Sequence, residues 1–404
     1  MADNSKAIGV LSFWSIHNQL TQATVLPQVR AIRNCANVKR VLLITLESVK
    51  NIGPVATEEF VHVPLFLSAD KLQTFGKIKD NVVLPFKIAN VLKAHDCTAL
   101  VAHGSAAGVL AYKVWKRTGI PFYISSFEPH AAYMLESDVW SRYGLKYNFQ
   151  KRWEQQQKKY ATGLMPVSDK YKQVLLKEGI PAAGVITVPC VVALSQFSFS
   201  QSNRDKIRHT LGITKANITG IYVGKYGGLY YQQEAFAIYK QCFDRIPDFR
   251  LIILSPQPLA EIIKSLHQQQ IDISKVYIAS VPHQEVPYYL SAADFGFATI
   301  KSYPSARYCS PVKIGEYWAN GLPVLLTEGV GDDSDIIRNE GGGALFHLQQ
   351  EGSVERALQQ ILAIISNPEH RQEISELAAK YRSPERIREA YAYFFGQRSG
   401  GGQI

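Results

Sequence analysis

The chain lacks the cysteine pairing that a disulfide framework or a cysteine-based zinc site needs. Its five cysteines, Cys35, Cys97, Cys190, Cys242 and Cys309, are scattered over 404 residues with no C-x-x-C pair. That argues against both and suits a reducing compartment. No apolar run reaches the roughly 18 to 20 residues a membrane helix needs. The opening MADNSKAIGVLSF has one lysine and no long apolar stretch, so no secretory signal is expected. With 28 glycines and 19 prolines the chain is neither collagen-like nor linker-dominated. There is no repeat at solenoid period and no low-complexity segment. Zinc-finger, RNP and homeodomain patterns are missing too, so nucleic acid is not an expected partner.

What is present fits a soluble, cytoplasmic, multi-domain protein. Apolar residues make up 46% and charged residues 19%, and a chain this long allows two or three domains of about 150 residues each. The charge is uneven. Residues 1–190 hold 23 Lys and Arg against 13 Asp and Glu, which is the whole net charge of +10. Such asymmetry bears on partners rather than on fold. It suits an anionic acceptor or an anionic membrane surface, and equally plain solubility. One basic stretch is Lys71, Lys77, Lys79, Lys87 and Lys93, interleaved with apolar residues from Leu72 to Val91. The other is Arg142, Lys146, Lys151, Arg152, Lys158 and Lys159, interleaved with Tyr143, Tyr147, Phe149, Trp153 and Tyr160. A basic amphipathic helix can lie peripherally on an inner membrane face, or pack on a sheet with a solvated face.

Short apolar runs alternate with longer helical patterns. Strands are expected near 7–12, 40–46, 99–103, 120–125, 163–167 and 185–189, and again near 218–223, 249–254, 275–279, 294–299, 322–326 and 343–346. Continuous apolar runs between helices predict doubly wound parallel sheets. There are too many strands for one sheet of usual size. The pattern lapses into Ser, Gln and Asn near 190–206. We therefore expect an α/β protein of two Rossmann-like domains, 1–195 and 196–382, facing each other across a cleft. A C-terminal helix at 383–397 is expected to pack back on the first domain, followed by a disordered tail at 398–404.

The most informative segment is 302–346, SYPSARYCSPVKIGEYWANGLPVLLTEGVGDDSDIIRNEGGGALF. Ser310 suits an N-cap and Pro311 a first helical position. Asn320–Gly321, with Pro323 beyond, marks the end. Lys313, Glu316 and Tyr317 share one helix face. The helix would begin at the carboxyl end of a strand, where open α/β sheets bind ligands and free amides suit phosphate. The alternative is a surface ion pair of Lys313 with Glu316.

The pattern S-P-V-K-x-x-E-Y-x-A-x-G-x-P-V resembles the donor-site signature of family 4 retaining glycosyltransferases, which have the GT-B fold. YVGKYGG at 222–228 is similar to the family's first strand and glycine-containing loop of the C-terminal domain. VPHQEVPYYLSAADFGF at 281–297 resembles its donor-base loop. Residues 166–197 resemble the passage into the interdomain linker, and 125–140 the loop with the active-site His. The match runs from about 120 to 350.

The resemblance implies roles for single residues. Lys225 would place a cation on the donor diphosphate, with Gly224, Tyr226 and Gly227 beside it. Ser310, Pro311, Val312 and Lys313 would line the diphosphate, with Tyr317 behind them. Glu316 would bind the nucleotide ribose, and Val281 and Pro282 would lie against the base. His130 would approach the transferred sugar. The sequence departs from the family where Tyr308 stands for the first Glu of the paired-Glu motif. It departs again where Tyr230 stands for the second cation and Ala193 for a linker Asp. In the Ser-Pro-x-Lys subset Lys313 replaces the missing charge.

The implied activity is transfer of a sugar from a UDP- or GDP-sugar to a glycan, lipid-linked or other hydroxyl acceptor, of the kind used in polysaccharide biosynthesis. No cofactor and no metal are required. Two readings compete with it: a nucleotide-sugar epimerase of the same fold and a non-catalytic sugar-nucleotide binder. Glu128, two residues before His130, is a local acid or base or merely orients the loop. His17 and Asn18 in the first βα loop face the acceptor side. Asp332, Asp333 and Asp335 read as the cap of a helix at 334–339 or as magnesium ligands.

Overall fold

The computed structural model describes residues 6–396 except 19, 50, 51, 56 and 69–72. Lys71, Leu72 and the expected tail at 398–404 lie outside the described residues, as do the side chains of 73–79. The chain divides into two compact units. The first comprises Met1–Ala132, Trp140–Pro189 and Pro384–Ile404, and the second Tyr133–Val139 and Cys190–Ser383. The break falls at 189/190, where the expected boundary was 195/196.

The first unit is built on a six-stranded parallel sheet. Its strands are β1 (Lys6–Ser12), β2 (Val38–Glu47), β3 (Val61–Phe66), β4 (Cys97–His103), β5 (Phe122–Phe127) and β6 (Gly163–Pro166). Their order is β3-β2-β1-β4-β5-β6, the order of a dinucleotide-type doubly wound sheet. Sequence reading missed β3 because Pro64 interrupts its apolar alternation. Proline cannot donate to a ladder, and β3 tolerates it by lying at the sheet edge. The run expected as a strand at 185–189 is corrected. It lies along β6, held by the Leu164–Val185 bridge and by the amides of Ile186 and Val188. Pro189 then ends the donor row.

The helix Glu385–Tyr391 belongs to this unit and packs on Leu26–Arg33. There the Tyr391 hydroxyl donates to Gln28 Oε1 at 2.7 Å. Among the described residues no helix is long and apolar enough to cross a membrane.

The second unit repeats the design. Its strands are β7 (Thr219–Val223), β8 (Arg250–Leu254), β9 (Val276–Ala279), β10 (Phe295–Ala298), β11 (Val324–Thr327) and β12 (Gly343–Phe346). They run parallel in the order β12-β11-β10-β7-β8-β9. One face carries Tyr222, Phe236, Tyr239, Phe249, Phe295 and Phe297, and the other Ile221, Leu290, Ile314, Tyr317 and Trp318. Aromatic bulk on both faces requires small residues in the strands. A Cβ at Gly296 would lie 2.5 Å from the Tyr317 ring, so this glycine lets the helix Val312–Ala319 press against β10.

That helix is the element sequence reading found, with a different start. Its N-cap is Pro311, and no side chain caps it. Ser310 is not the N-cap. Its hydroxyl accepts the Cys190 amide at 3.0 Å and pairs with Arg382. The far end is as expected: Asn320 is the C-cap and Gly321 follows at φ 73°.

Arg382 ties these pieces together. Buried, it donates to the Cys190 carbonyl at 3.2 Å and forms an ion pair with buried Asp333. The acidic cluster is thereby resolved in part, since Asp333 opens the helix Asp333–Glu340 and neutralises Arg382. Among the described residues no group of three His, Cys, Asp or Glu could hold a metal.

Candidate functional site

The carboxyl end of β7 and the start of the helix Val312–Ala319 meet in the second unit. The Tyr317 hydroxyl accepts the Val223 amide at 3.0 Å and donates to the Phe297 carbonyl at 3.3 Å. It therefore fixes the ends of β7 and β10. Tyr317 is 0% exposed: its ring is core, and both bonds of its hydroxyl go to backbone. Tyr226 is buried as well. Its ring stacks on Tyr222 with centroids 4.5 Å apart, and its amide donates to Gln257 Oε1 at 2.7 Å.

Between these rings lies the ammonium of Lys313. Nζ sits 4.6 Å from the Tyr222 ring centroid and 4.4 Å from that of Tyr230, a cation–π arrangement on two sides. A Cβ on Gly224 would be 2.9 Å from it. Gly224 also adopts φ 136°, which only glycine holds without strain. Lys313 Nζ is buried and has no hydrogen-bond partner among the described residues. Burial pushes its pKa down to about 7, against a smaller upward pull from Glu316. A buried cation with no acceptor is costly to maintain.

Lys225 follows Gly224 and is exposed. The Tyr222 hydroxyl holds its carbonyl at 2.6 Å. Gly227, at φ 80°, continues the turn. Val312 and Lys313 lie in the first helical turn, where backbone amides lack intrahelical acceptors. The expected loop and helix start are thus brought together, with Lys313 rather than Ser310 at their junction.

One residue was missed. His283 Nε2 lies 2.7 Å from Glu316 Oε1. His283 follows Val281, which packs on the core, and exposed Pro282. Its ring also contacts Phe197 at 5.3 Å. The bond to Glu316 holds the imidazole pKa above its ordinary value, outweighing burial. The only sequence signal was a His inside VPHQEVP; its partner lies 33 residues on.

The remaining expected residues belong to the first unit. His130 opens the helix His130–Glu136. Its ring meets Trp140 edge-on at 5.5 Å, and Nδ1 is 3.8 Å from Glu128 Oε1. Burial pulls its pKa down, but Glu128, and beyond it Glu154, hold it above the ordinary value. Glu154, buried, accepts the Ala131 amide at 2.9 Å. His17 and Asn18 are exposed in the loop after β1.

No family model matches the sequence, and no curated protein matches it. Solved structures do. Sucrose-phosphate synthase from Thermosynechococcus elongatus is 16% identical with a TM-score of 0.71, covering 96% of this chain and 98% of that one. Anabaena HepE in complex with UDP is 14% identical with a TM-score of 0.69, covering 96% and 99%. The fold is GT-B. A Listeria monocytogenes protein described as a UDP-N-acetylglucosamine 2-epimerase shares it at 13% identity, with a TM-score of 0.64 and coverage of 99% and 100%. At these identities the GT-B likeness speaks for architecture and leaves the reaction to the residues.

Proposed function

We propose that this protein is a retaining glycosyltransferase of the family 4 type, using a UDP- or GDP-sugar donor and a glycan, lipid-linked or other hydroxyl acceptor. The observation that carries the reading is the buried, acceptor-less Lys313 ammonium beside Gly224 and the first turn of the helix. A diphosphate supplies the anion that this cation lacks.

Glycosyl transfer passes through an oxocarbenium-like state, as glycoside hydrolysis does. Negative charge grows on the departing nucleoside diphosphate. Preorganised cations and amides stabilise that charge by several kcal/mol in a dry site. Lys313, Lys225 and the amides of Val312 and Lys313 fill that role. With retention the acceptor arrives on the face the diphosphate leaves, and the diphosphate takes the acceptor proton. No metal enters this scheme. Lys313 also answers the Tyr230 departure, because its charge stands against that ring.

We also propose that the protein works at the cytoplasmic face of an anionic membrane. Tyr143 and Leu145 are 91% and 89% exposed beside Arg142 and Lys146. Apolar side chains among cations suit an interfacial site.

Release of UDP or GDP from nucleotide sugars by purified protein tests the transferase reading, after a thermal-shift panel has chosen the donor. Slow hydrolysis that a hydroxyl acceptor accelerates supports it. Interconversion of donor epimers without nucleotide release would establish the epimerase instead.

A further inference from the structure

Glu316 is 5% exposed, and its Oε1 accepts a hydrogen bond from His283. A carboxylate has room for about four hydrogen bonds over two oxygens. Here Oε1 is committed to His283, and Oε2 takes no part in that bond. His283 is the first residue of the short 3-10 helix His283–Glu285, directly after Val281 and Pro282. Its ring lies against Phe197, which is itself buried. The imidazole is thus held from both sides, by an aromatic ring and by the carboxylate.

A carboxylate recognises a vicinal diol well only if its orientation is fixed before the ligand arrives, because ordering it on binding costs affinity. Glu316 has two torsions next to its carboxylate that the helix alone does not set. We propose that His283 is a positioning residue that locks Glu316 so that Oε2 faces the ribose cis-diol, making the site selective for ribonucleotides over nucleotides without that diol. This rests on the donor-site reading of Glu316. The same bond ties the loop of Val281 and Pro282 to the helix, so that base and ribose are gripped by one connected unit.

The test titrates the full chain with UDP and with 2′,3′-dideoxy-UDP, and with GDP and its dideoxy analogue in parallel. Glu316→Ala tests the underlying reading: it is expected to weaken the ribonucleotide and leave the dideoxy analogue almost unchanged. His283→Ala is expected to give the same diol-selective loss, about 5- to 20-fold. His283→Gln, whose amide can still donate to Oε1, should restore affinity to within about threefold. Equal loss for both ligands in Glu316→Ala overturns the donor-site reading and the proposal with it. A diol-selective loss in Glu316→Ala with none in His283→Ala, or no rescue by Gln, overturns the positioning role alone.

Discussion

Lys313 Nζ lies 4.4 Å from the centroid of the Tyr230 ring, on a helix 83 positions further along the chain. The two side chains stand in cation–π contact. The sequence resemblance would put a second cation at position 230, and on that reading Lys313 supplies the charge from the other side.

Lys313→Met keeps the length of the stem and removes the charge. The expected outcome is at least a tenfold loss of UDP affinity, since a charge-assisted contact to phosphate is about 1.5–3 kcal/mol. Ligand-free protein is expected to gain about 1–3 kcal/mol at pH 6, because an unpartnered buried charge is removed. Calorimetric titration and thermal unfolding check both. Weaker binding together with lower stability would point to a packing role.

The sign of the pH dependence follows from the same residue. Its pKa falls from about 10.5 in the unfolded chain to about 7 in the folded one. Below pH 7 both states hold the proton and the full penalty stands. Between about 7 and 10.5 the unfolded chain binds more protons, so stability rises with pH. The unfolding gap between wild type and Lys313→Met should therefore narrow across that window. UDP affinity of the wild type should fall in the same window, as the incoming anion must bring a proton with it, and the variant should show no such fall.

Lys225 is exposed, and the bond that its carbonyl accepts from Tyr222 does not involve the side chain. Lys225→Ala should leave the melting temperature within about 1 °C, given that exposed substitutions usually change stability by no more than ~0.5 kcal/mol. Donor hydrolysis should fall roughly 10²-fold. A rate within a factor of two of wild type removes Lys225 from the diphosphate.

Gly296→Ala introduces a Cβ 2.5 Å from the Tyr317 ring. Overpacking of this kind costs about 1–3 kcal/mol. Because Tyr317 also holds the Val223 amide, nucleotide affinity should drop along with stability. A destabilised variant with unchanged affinity would separate the Tyr317 contact from the site.

The first unit makes a surface prediction. The protein should sediment with vesicles containing about 30% phosphatidylserine at low salt and be released near 0.5 M salt, where screening falls to about 4 Å or less. Leu145→Asp should weaken binding at every salt concentration, since Leu145 is 89% exposed. No sedimentation at low salt leaves the +10 charge to solubility.

Periodicity and caps were enough to read the parallel strands and the helix ending at Asn320–Gly321, because buried strands are continuously apolar and a left-handed glycine stops a helix locally. They could not reveal β3, where Pro64 hides a strand that only its edge position permits. The types of residue at the site were legible as well, since Lys313, Glu316 and Tyr317 fall on one helix face by spacing alone.

What each of those side chains does was decided by distant partners. Tyr317 became a brace because β7 and β10 end against its hydroxyl. Ser310 was drawn from the cap by Arg382, 72 residues away, and Glu316 was claimed by His283. A sequence sets which groups lie on a helix face, through bond geometry and local torsions. Which of them are buried, which are partnered and which are left with an unanswered charge depends on where the folded sheet carries remote backbone. Lys313 was visible as a lysine in the chain, but only the rings of Tyr222 and Tyr230 closing around it made it a cation in want of an anion.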